Sequence, residues 1–188
     1  MVTLSKEAEL IQRLSQHVDE YTLTYYEQWV RDATPPVDLT VLVDEATRLV
    51  HSSDERLARS ALQAIGSFGD LGCLKGIQAA GFAKAHTDEV RLVTMHLKER
   101  LLAPEELLEQ VHDQESFVLF VRSLAKERAM AQDIEASDPR RYSLDGALGW
   151  KNADISSFLY AASTTRSASA SADWRWFAQF LYSGKVVE

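Results

Sequence analysis

Apolar residues recur at steps of three and four along nearly the whole chain, and only four prolines and eight glycines interrupt its 188 residues. That combination confines the fold to helices, because a period near 3.6 gives each segment one apolar face and rare breakers leave room for length. The first segment sets Leu4, Ala8, Ile11, Leu14, Val18, Tyr21, Tyr25 and Trp29 on one stripe, with a bend expected around Thr22 to Thr24. Pro35 and Pro36 end it, since neither can donate to a helical ladder. The aromatic end of the stripe reads as packing, because such rings contribute mainly buried area.

Residues 38–102 read as consecutive helices of about four turns with very short connections, the pattern of stacked antiparallel hairpins. Asp38 can cap a helix carrying Val41, Leu42, Ala46, Leu49 and Val50. Ser52 and Glu55 form an S-x-x-E capping box ahead of Leu57, Ala58, Ala61, Leu62 and Ile65. Glycines 66, 69 and 72 around Asp70 mark a turn into a helix with Leu74, Ile77, Ala80 and Phe82. Thr87 or Asp88 can cap the next, whose Val90, Val93, Leu97 and Leu101 face inward. Pro104 suits the first turn of another, followed by Glu105 and Glu106 where a helix N-terminus favours negative charge. Small residues at Ala58, Ala61 and Ala64, then Gly66, Gly69 and Asp70, then Leu74, resemble a single HEAT-type repeat. No second copy follows at the period of a solenoid.

After Asp113, Phe117, Val118, Phe120, Val121, Leu124 and Ala125 define a further helix. Asp138-Pro139, Arg140-Arg141, Asp145-Gly146 and Gly149 are loop signals. Asn152 or Asp154 can cap a helix with Ile155, Phe158, Leu159 and Ala162 inward. The Ser/Thr/Ala-rich run 163–172 reads as a loop. Ser171 or Asp173 caps a last helix with Trp174, Phe177, Ala178 and Leu181, ending at Gly184. These aromatics, Trp150 and Trp174 among them, are expected to hold a small core. Phe117-x-x-Phe120-Val121-x-x-Leu124, Trp150-x-Asn152-x-x-Ile155-x-x-Phe158-Leu159 and Trp174-x-x-Phe177-Ala178-x-x-Leu181 together resemble a family of small uncharacterised bacterial helical domains found in polymorphic-toxin and immunity gene settings. The resemblance spans roughly residues 112–188 and implies an immunity role. It brings no catalytic residues with it.

Charge narrows the partner. Of the net −8, residues 1–110 carry 11 Lys/Arg and 18 Asp/Glu, a balance of −7, whereas residues 111–188 carry 9 and 10, a balance of −1. Phosphate binding needs clustered Lys/Arg, so nucleic acid is disfavoured and a basic protein surface is the better match. The lone Cys73 favours a reducing compartment. The first residues lack the pattern of a signal peptide, and no apolar run reaches the roughly 18 residues of a membrane span, so a cytoplasmic protein is expected.

Residues with catalytic or ligating chemistry form no complete set. His17-x-x-Glu20 and Glu109-x-x-His112 have one-turn spacing, but a di-iron bundle needs two copies and two further carboxylates. Ser123-x-x-Lys126 lies inside a helix rather than at its start. His86 and His96 lack ligand spacing, and Cys73 reads as a packed thiol. The G-x-x-x-x-G-K-[ST], G-x-G-x-x-G and G-x-S-x-G motifs do not occur.

The reading is therefore an all-α protein, with a helical-hairpin domain over 1–110 packed with a smaller aromatic module over 111–188. Its expected role is that of a non-enzymatic cytoplasmic immunity protein with no cofactor or metal. Asp44, Glu45, Asp54, Glu55 and Asp70 would oppose basic groups on a cognate toxin. A general helical scaffold or adaptor is the alternative, and a hydrolase-type enzyme the third.

Overall fold

The computed structural model describes residues 4–19, 23–79, 87–142, 146–152, 154–164 and 173–187, with backbone alone at 23–25, 75, 78 and 79. Tyr21, Thr22, Ala80, Phe82, His86, Asp145, Ser171, Glu188, Glu20 and the 165–172 part of the Ser/Ala run lie outside the described residues, as does the Tyr25 side chain. Among those described are ten α-helices and no strand. They are α1 (Lys6–Ser15), α2 (Leu23–Arg31), α3 (Leu39–Leu49), α4 (Glu55–Phe68) and α5 (Leu71–Ala79). Then follow α6 (Thr87–Leu101), α7 (Pro104–Leu108), α8 (Gln114–Ser137), α9 (Ile155–Ser163) and α10 (Trp174–Val186). Two compact units result, Met1–Leu101 and Leu102–Glu188, and α7 belongs to the second.

Helix α4 is the hub of unit 1, and α1, α2, α3 and α6 all pack on it. The sequence explains why. Ala58, Ala61 and Ala64 are wholly buried on its face, and side chains this small let neighbouring helices approach closely. Ile11, Leu42, Leu62, Ile65 and Leu97 fill the core around them. Ser60, also buried, donates from Oγ to the Ile11 carbonyl at 2.9 Å, so its hydroxyl is not left unpaired in the apolar interior. At the surface Arg59 bridges Asp19 and Glu89, and Arg56 adds a second contact to Asp19 at 3.2 Å.

Local chemistry corrects several sequence-based boundaries here. The first stripe is two helices, because α1 stops at Ser15, earlier than the expected bend. Asp38 caps α3 through the Thr40 and Val41 amides. The cap of α4, however, is Asp54, which accepts from Leu57 N, while Ser52 Oγ accepts from Asp54 N two residues on. Each side chain takes an amide two or three residues on, so the carboxylate next to the helix holds the capping position. Gly66 lies inside α4, so the expected three-glycine turn shrinks to Gly69 and Asp70. Thr87 is the first residue of α6 rather than its cap.

Unit 2 is built on the 24-residue α8, against which α7, α10 and the 3-10 turn Ala147–Gly149 pack. Asp113, Asp154 and Asp173 cap α8, α9 and α10 through Ser116 N, Ser157 N and Trp176 N. Pro104 opens α7, and Glu106 accepts from Ala103 N at 2.9 Å. Phe120, Leu107, Val111, Leu119 and Trp150 form the core. Helix α10 runs through Gly184 to Val186 rather than stopping there. At Gly184 α9 comes so close that a Cβ would sit 2.8 Å from both the ring and the carbonyl of Phe158.

The aromatic positions divide in an unexpected way. Trp150, Phe120, Leu124, Ala162 and Ala178 are buried as expected. Ile155 (78% exposed), Leu159 (50%), Trp174 (39%) and Phe177 (42%) are not core residues, although their spacing placed them inward. For Ile155 and Leu159 the cause lies in α9 itself. Ile155, Phe158, Leu159, Tyr160, Ala161 and Ala162 are too many apolar residues for one face, and the face packed on α10 is the one with Ala161 and Ala162.

Candidate functional site

Helices α8 and α9 each lean on α10 rather than on one another, and a groove of about 310 Å³ opens where they diverge. Val121, Leu124 and Ala125 of α8 line it, with Ile155 and Phe158 of α9, Leu181 of α10 and Trp150. The Trp150 and Phe158 rings stack, with centroids 6.0 Å apart. Polar groups at the rim are mostly committed to the protein. Arg128 grips Glu135 with both terminal nitrogens, at 2.9 and 3.1 Å, and lies 5.5 Å over the Trp150 ring. Its Nε is the atom without a partner among the described residues. The Arg128 guanidinium holds the Glu135 carboxyl below the usual range, and Glu135 also accepts from Ala147 N at 3.0 Å. Asn152 Nδ2 donates to the carbonyls of Gly184 and Val187. Asp154 is held low by its bond from the Ser157 hydroxyl. What remains open to a ligand is an apolar wall.

Beside the groove, Lys185 is buried to 3% exposure, with Nζ 2.9 Å from Glu105 and 2.7 Å from Glu127. Trp150 Nε1 donates to Glu127 at 3.0 Å, and the Tyr182 hydroxyl to Glu105 at 2.9 Å. Burial pushes the Glu105 carboxyl up, but the bonds from Lys185, its own backbone and Tyr182 outweigh that and leave it low. Burial, reinforced by Glu105, raises Tyr182 to about 12. With its buried ammonium held between two carboxylates, Lys185 ties α10 to α7 and α8. Nothing in the sequence reading singled out this cluster. The usable signal was Lys185 itself, seven residues after Ala178 on the buried stripe of α10.

The five acidic positions expected to meet a partner lie in unit 1, and the structure spreads them. Asp44 and Glu45 are on α3, Glu45 in an ion pair with Arg48. Asp54 and Glu55 stand exposed at the start of α4. Asp70 lies beyond the other end of that helix, roughly 20 Å away along its axis. There Asp70 caps α5 and is held low by bonds from the Cys73 thiol and amide.

The motifs with catalytic or ligating spacing do not assemble. Glu109 follows α7 and pairs with Arg175 at 2.7 Å. His112 is in the link to α8, with Nδ1 2.7 Å from the Gln110 carbonyl, so the two share no helix face. His96 stands 3.8 Å from Glu27. Ser123 is buried mid-helix and donates to the Leu102 carbonyl at 3.5 Å, while Lys126 is exposed. Burial pushes the Cys73 thiol up. Among the described residues no group of three or more His, Cys, Asp or Glu could hold a metal ion, and no helix is long and apolar enough to cross a membrane.

Comparison with known protein families, curated proteins and solved structures yields no significant match to this chain.

Proposed function

We propose that the protein is a non-enzymatic binding protein, an immunity protein of the bacterial cytoplasm that neutralises a cognate toxin by covering it with the acidic helices of unit 1. The observation that carries this reading is the outward set of carboxylates on unit 1, whose residues 1–101 carry 11 Lys/Arg and 15 Asp/Glu, a balance of −4, with Asp54, Glu55 and Asp70 exposed. Asp54 and Asp70 are fixed by backbone amides, and carboxylates already in place lose little freedom on meeting basic groups. Opposed charge also speeds encounter and rejects wrong partners. A spread of roughly 20 Å fits within one partner's share of a standard interface, about 800 Å². In this reading the helices from α3 to α6 are an antiparallel hairpin scaffold with one HEAT-type repeat, and the toxin setting comes from the resemblance of residues 112–188. A general adaptor is the second reading, favoured by the open apolar groove of unit 2.

Co-expression with the product of the neighbouring gene tests both. Immunity requires co-purification, nanomolar affinity and rescue of growth. Charge reversal at Asp54, Glu55 and Asp70 together should weaken binding at least about tenfold, with a smaller salt dependence than wild type. Binding unchanged by that triple reversal would move the interface away from unit 1. No binding to any adjacent product ends the immunity reading.

A further inference from the structure

We draw no further inference here: the strongest candidate, the apolar groove between α8 and α9 of unit 2 with Ile155 and Leu159 exposed on α9 beside it, carries nothing because nothing in the structure shows what covers it.

Discussion

The two units solve the same problem, burying helix faces, with different materials. Unit 1 surrounds α4 with aliphatic side chains, sets alanines where helices meet, and keeps the Asp19–Arg59–Glu89 ion pairs at its edge. Unit 2 packs aromatic rings and places an ammonium between two carboxylates inside, with Trp150 hydrogen-bonded to one of them. Shape decides the first arrangement, because close-packed alanines tolerate no added volume. Polarity decides the second, because a buried charge stabilises only when its partners are in place. The consequence is a difference in fragility: unit 1 should be sensitive to size, and unit 2 to the loss of a single charge.

Three experiments press on that difference. Lys185→Ala should have the largest effect, destabilising unit 2 by about 3–5 kcal/mol through the stranded Glu127 carboxylate. Three of the four tryptophans lie in unit 2, so fluorescence-detected urea unfolding reads the change there. Lys185→Met, of similar length, should cost the same if charge is decisive and much less if packing is. Next in size, Ala61→Leu should destabilise unit 1 by about 1–3 kcal/mol by overpacking the α4 contact, seen as an earlier loss of helical circular dichroism with little change in the tryptophan signal of unit 2. The smallest effect is that of acid. Glu105 and Glu135 titrate below their ordinary 4.5 in the folded protein, so the stability they supply is complete above that value and is lost as pH falls through their lowered folded pKa values. A urea midpoint for unit 2 that is level from pH 7 to about 5 and declines below about 4.5 is the expected profile. A midpoint that instead rises on acidification would mean that the network is not held by its ionised carboxylates.

Helix existence was legible because each segment carries a 3.6-residue period, and most helix starts were legible because aspartate marks them. Asp38 caps where a cap is expected, Asp154 and Asp173 are each one of two expected candidates, and Asp113 caps the helix expected to begin after it. Stops were less so. A glycine ends a helix only when the chain must turn there; Gly66 instead lies buried inside α4, and Gly184 serves close packing within α10. Periodicity also says that a face is apolar without saying what covers it. That is why Trp174, Phe177, Ile155 and Leu159 read as core but stand exposed, and why the groove was invisible. The Lys185 cluster was hidden for a further reason: its members are separated by up to 80 residues, and no local pattern links Glu105 to Lys185.

Gly184 sets the standoff between α9 and α10. With its carbonyl also held by Asn152, the helix pair has almost no play at that point. A single methyl there must push Phe158 aside, and Phe158 is a wall of the groove. One carbon atom therefore acts as a shim for the whole cleft. Drift at this codon would retune what the cleft accepts while every residue facing a guest stayed the same.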